Sequence, residues 1–89
     1  MAEAPTLEVE RSLMGSLELA NATVAYVNLE QQAAIPTRLR VADVEYAYER
    51  SFPIRGHSAV LPEVIAELLD EERRILVAER QERYLVYLA

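Results

Sequence analysis

The hydrophobic period changes partway along this chain, and the change limits the folds open to it. From residue 42 to 49, Ala42, Val44, Tyr46 and Tyr48 share one parity, while Asp43, Glu45, Ala47 and Glu49 share the other. Period two sustained over that length marks a strand with one buried face. Phe52-Pro53-Ile54 extends or restarts it, with the proline at an edge, a bend or the end of pairing. Beyond a loop at Arg55-Gly56-His57-Ser58, Val64, Ile65, Leu68 and Leu69 fall at i, i+1, i+4 and i+5, one stripe of a helix. Pro62 suits the first turn. Glu63 and Glu67 lie toward the positive end of the helix dipole and Arg73 and Arg74 toward the negative end. The pattern predicts a helix over residues 62–72.

After the helix, Ile75-Leu76-Val77-Ala78 and Tyr84-Leu85-Val86-Tyr87-Leu88 are apolar at both parities, as expected of strands inside a sheet. Residues 79–83 join them without glycine, so a type I turn or a longer polar loop is expected ahead of a type I′ turn. Toward the N-terminus, Leu7, Val9 and Leu13 alternate with Glu8 and Glu10. Met14-Gly15-Ser16 is the expected break or bulge, followed by Leu17 and Leu19, a turn at Asn21, and a β-branched and aromatic strand from Thr23 to Leu29. Residues 30–37 lack β patterning and suit a helical turn ending before Pro36. The sum is an α+β fold: a small antiparallel or mixed sheet of about five strands, packed by one helix and ending in a β-hairpin. At 89 residues the chain suits one domain over residues 6–89, with residues 1–5 as a flexible tail.

Composition narrows the function. With no cysteine and a single histidine, His57, disulfides, thiolate chemistry and a Cys- or His-built metal site are excluded. All nine basic residues are arginine, against fifteen carboxylates, for a formal charge of −6. Such a balance disfavours nucleic acid, whose binding rests on cations that release counterions from phosphate. No apolar run approaches the length of a membrane span, and residues 1–5 lack the features of a signal peptide. A cytoplasmic protein is expected.

Catalysis finds no footing. His57-Ser58 are sequence neighbours, which seldom form the hydrogen bond that activates a nucleophile. Asp43, Glu45 and Glu49, like Asp70-Glu71-Glu72, lie on the polar sides of amphipathic elements. Gly15 and Gly56 are isolated, so no phosphate loop or dinucleotide fingerprint exists and no cofactor is expected. Arg55, Gly56 and Ser58, just ahead of the helix, form the one candidate anion site.

Tyrosine and arginine are enriched at the centres of protein interfaces. Tyr46 and Tyr48 share a strand face, and Tyr84, Tyr87 and Leu88 lie on the last strand, so these five are the candidate interface residues. Residues 41–54, the helix and the two final apolar runs are similar in order to one half of a cystathionine-β-synthase-type nucleotide-sensing pair. Residues 14–19 with 26–29 resemble the first strands of Sm-like barrels. The first likeness departs from its pattern at Val86, where glycine is usual, and no residue role is carried over from either. At 52% apolar content the chain has more apolar surface than a small core easily hides. The expectation is a small, acidic, non-catalytic protein-interaction or oligomerisation module, a homo-oligomer in the first instance. The alternative is a regulatory domain that binds an anionic ligand such as a nucleotide at the loop before the helix.

Overall fold

The computed structural model describes residues 6–19, 21–55 and 60–89. The expected tail over residues 1–5 lies outside them. The fold is α+β, mostly strands with one helix, but the sheet has seven strands where about five were expected. These are β1 (Leu7–Val9), β2 (Met14–Leu19), β3 (Ala22–Asn28), β4 (Arg38–Val41), β5 (Val44–Pro53), β6 (Ile75–Arg80) and β7 (Arg83–Leu88). The helix, α1, is Val60–Asp70. The sheet order is β1-β4-β5-β7-β6-β3-β2, antiparallel except for the parallel pairs β1–β4 and β3–β6.

The two extra strands come from breaks that the residue pattern hides. The N-terminal break is a 3₁₀ turn at Arg11–Leu13, closed by the Leu13 amide on the Glu10 carbonyl at 3.0 Å, and not at Gly15. Gly15 lies inside β2 opposite Tyr26, whose ring carbon Cδ2 would stand 3.6 Å from an added Cβ. Between β4 and β5 the chain reverses at Ala42-Asp43, with Ala42 at φ 54° in the left-handed region. The expected strand over residues 42–49 therefore begins at Val44, and residues 38–41 form its partner. Residues 30–37 form no helix and run as an irregular loop.

The long alternating strand changes face midway. Tyr48 is opposite Tyr87, but Arg50 is opposite Val86, so the ladder skips Glu49. This bulge brings Phe52 onto the helix side while Tyr46 stays on the other.

The last two strands occupy the middle of the sheet, so the chain does not finish in a separate hairpin. Both flanks of each are paired, which is why Ile75, Leu76, Val77 and Ala78, and likewise Leu85, Val86, Tyr87 and Leu88, are all buried. They connect through Gln81-Glu82 alone. Both residues have positive φ, 51° and 60°, the mark of a type I′ turn in place of the expected type I. The backbone twist of the strands imposes that geometry without glycine. The Glu30 carboxylate, which accepts the Gln81 N–H at 3.0 Å, and the Glu82 carbonyl, which accepts from Ile54 at 3.0 Å, hold it.

Helix α1 starts two residues before Pro62, which then lies in the first turn, where amides have no partner within the helix. It ends ahead of the predicted boundary because Glu72, at φ 57°, turns the chain left-handed. The Glu72 amide bonds the Leu69 carbonyl at 2.9 Å and the Arg73 amide bonds that of Leu68 at 3.1 Å. This is a Schellman closure built without glycine. Arg73 and Arg74 thus lie beyond the helix.

The chain connectivity forces the sheet to curl. β1 and β2 are the two edges of the sheet, yet only residues 10–13 separate them. Seven flat strands would set the edges about 29 Å apart, whereas the chain from Val9 to Met14 reaches at most about 18 Å. The sheet closes toward itself as a half-barrel, with β1 and β2 as two arms of one interrupted strand. Val9, Val27, Leu29, Leu39, Leu76, Ala78, Leu85 and Tyr87 form one buried cluster, against which Leu7 and Met14 from the opposite edges both pack. That face is the inside of the curl. The outer face carries a second cluster, Val24, Leu61, Ile65, Leu68, Ile75, Val77, Val86 and Leu88, beneath α1. Where α1 does not reach, the outer face is polar: Arg38 and Arg40 lie 3.6 and 3.5 Å from Glu45, and Arg40 lies 3.8 Å from Glu8. These pairs are exposed and add little stability.

Candidate interaction surface

The two sheet edges differ in what they offer a partner. β1 is three residues long with the charged Glu8 at its centre, a short edge that discourages pairing. β2 is six residues long and carries no proline, lysine or bulge. Its hydrogen-bonding sense follows from β3. The Leu29 amide donates to the Glu79 carbonyl at 2.8 Å, so odd-numbered residues of this segment face β6 and the even-numbered Ala22, Val24 and Tyr26 face β2. Their partners Leu19, Leu17 and Gly15 therefore bond inward. The backbone groups of Met14, Ser16 and Glu18 point out of the sheet, unpaired by any described strand. Leu17 and Leu19 are half-buried on the α1 side, and Leu13, just before β2, is 64% exposed.

The five candidate interface residues do not form one patch. Tyr46, Tyr48 and Tyr87 belong to the inner side of the curl, Tyr84 and Leu88 to the α1 side. Tyr46 and Tyr84 are half-buried. Tyr48 is 38% exposed and rests edge-on against Tyr87, ring centres 5.6 Å apart. Tyr87 and Leu88 are buried in the chain's own core. Because β7 lies between β5 and β6, the final strand has no free edge, as its apolar residues at both parities predict.

Tyr87 anchors the loop over residues 30–37. Its hydroxyl donates to the Pro36 carbonyl at 2.7 Å, and the Tyr48 amide donates to the Thr37 carbonyl at 2.9 Å. Arg80 adds Nε to the Gln32 carbonyl at 3.1 Å and Nη2 to that of Ala33 at 3.0 Å. Its fork holds a backbone segment, a use of arginine that a single ammonium would serve poorly. Burial, with the Tyr48 phenol beside it, pushes the Tyr87 phenol well above the usual range. The Tyr26 phenol is pushed up to about 12, first by burial and then by its 2.6 Å hydrogen bond to the Glu79 carboxylate.

Of the candidate anion site, Gly56 and Ser58 lie outside the described residues, as does His57. Arg55 is exposed, with its Nε 3.8 Å from the Glu82 carboxylate. The strand carboxylates are dispersed: Asp43 lies in the β4–β5 turn, Glu45 pairs with Arg38 and Arg40, and Glu49 pairs with Arg50 at 3.3 Å. Among the described residues no three His, Cys, Asp or Glu side chains gather as metal ligands, and no helix is long and apolar enough to cross a membrane. An open cleft of about 410 Å³ lies beside β1, lined by Glu8, Val9, Glu10, Arg11, Arg40 and Ala42. Charges of both signs line it and select no ligand class. Compared with protein families, curated proteins and solved structures, the chain matches none.

Proposed function

We propose that this chain is a small, acidic, non-catalytic module that binds protein, and in the first place a copy of itself. The observation that supports this reading is the outer edge of β2: a regular strand whose outward backbone groups meet no other described strand, with half-exposed leucines beside it and no proline or bulge, Glu18 being its single charged residue. Strand addition at such an edge draws affinity from main-chain hydrogen bonds and specificity from alternate side chains. The charge of −6 opposes it only weakly at physiological salt, where repulsion between exposed charges is largely screened beyond about 8 Å.

Light scattering behind size exclusion tests the reading at two concentrations and two salt levels. The expected mass at the higher concentration is twice the 10.1 kDa of the chain. Because two acidic chains repel, added salt should shift the balance further toward the dimer; association through charge pairs would weaken instead. A 10.1 kDa species under every condition would remove self-association from the reading.

A further inference from the structure

We infer that the free edge of β2 pairs antiparallel with the same edge of a second copy, about a two-fold axis at Leu17. The inference rests on the self-associating reading above and names its surface and register. Two constraints on β2 act together. The outward backbone groups belong to Met14, Ser16 and Glu18, so any hydrogen-bonded pair across the interface joins two of these. Gly15, Leu17 and Leu19 point to the α1 side, while Met14, Ser16 and Glu18 point to the inner side. Facing residues of an antiparallel pair point the same way, so a register that meets the first demand also sets leucine faces side by side.

Charge and shape choose among the permitted registers. Setting Glu18 against the second copy's Glu18 places like charges opposite each other. Centring on Ser16 leaves Leu17 facing the second copy's Gly15 and spends no leucine on leucine. Centring on Leu17 sets the two Leu17 side chains together at a closely approaching, non-hydrogen-bonded pair. Leu19 then faces Gly15, which leaves it room, and Ser16 faces Glu18, so a hydroxyl donor meets each carboxylate. The Ser16–Glu18 pairs exchange both backbone bonds. Because the axis stands perpendicular to the sheet, the second copy's helix joins α1 on the same face, the face on which α1 meets β2.

The chain has no cysteine, which permits a clean cross-linking test. Facing Cα atoms at a non-hydrogen-bonded pair stand about 4.5 Å apart, inside the span a disulfide bridges. Under mild oxidation Leu17→Cys should convert almost fully to a covalent dimer. Leu19→Cys should not, since this register separates the two Leu19 positions by about 13 Å. In parallel, Ser16→Pro removes an amide that faces outward and leaves the inward bonds of Gly15, Leu17 and Leu19 to β3 in place. It should elute at 10.1 kDa with the circular dichroism of the parent. A parent dimer that persists in Ser16→Pro, with Leu17→Cys uncrosslinked, would overturn this edge and register but not self-association. A parent monomer would overturn both.

Discussion

Replacing Tyr87 by alanine is expected to cost about 4 kcal/mol of folding stability, the middle of the range for emptying an aromatic core site. A chain of 89 residues has about 5–13 kcal/mol in total, so the melting temperature should fall by roughly 15–30 °C. Tyr87 is fully buried inside the curl, touches Tyr48 and holds the Pro36 carbonyl, so its loss opens a cavity and removes one anchor of the loop over residues 30–37 at once. Tyr87→Phe separates the two effects. It keeps the ring, leaves the Pro36 carbonyl without its donor, and should cost about 1–2 kcal/mol. Thermal and urea unfolding of both variants checks this. An alanine variant within about 1 kcal/mol of the parent would contradict the placement of β7 inside the sheet.

The same hydroxyl makes the fold sensitive to alkali. Tyr87 and Tyr26 hold their protons more tightly when folded than unfolded, Tyr87 through burial and Tyr26 through burial and Glu79. A phenol with a raised folded-state pKa contributes its full stability below the unfolded value of 10.0 and loses it as pH climbs toward the folded value. Where the unfolded chain has lost a proton that the folded chain keeps, each such group removes about 1.4 kcal/mol per pH unit. Tyr26 is partly exposed and contributes less. Stability from urea titrations should therefore be level up to about pH 10 and fall steeply toward pH 12. Tyr87→Phe should start lower but fall with a shallower slope. A slope that is unchanged by this substitution would show that Tyr87 does not carry the effect.

What the residue pattern reveals about this fold is its local amphipathic order. The stripe Val64, Ile65, Leu68 and Leu69 identifies α1, and the doubly apolar runs identify β6 and β7 as interior strands. The pattern hides the reversals. Ala42, Glu72, Gln81 and Glu82 all adopt positive φ, and none is a residue that marks such a turn; Asn21 alone does. Each departs from local preference by about 1–2 kcal/mol, and the pairing of the flanking strands outweighs it. Gly15 misleads in the other direction: it sits within regular β2, and the break falls at Arg11–Leu13, where no glycine or proline stands.

The candidate surface was legible only in part, for a related reason. Alternation shows that Tyr46 and Tyr48 share a face, but not that this face lines the inside of a curl. Tyr87 and Leu88 lie on β7, and antiparallel pairing with β5 on one side and β6 on the other encloses them in the chain's own core. The outer edge of β2 depends on the same long-range pairing. The signals available in advance are modest: Leu17, Leu19 and Asn21 ahead of a β-branched run, in a stretch without proline or lysine.

Amide hydrogen exchange followed by NMR at two protein concentrations tests edge pairing most directly. Gly15, Leu17 and Leu19 bond to β3 in either state, and their amides should be protected at both concentrations. The Ser16 and Glu18 amides face outward, and should exchange freely in dilute solution yet become protected in concentrated solution as a second β2 covers them. Fast exchange of Ser16 and Glu18 at both concentrations, beside a protected Leu17, would contradict the account.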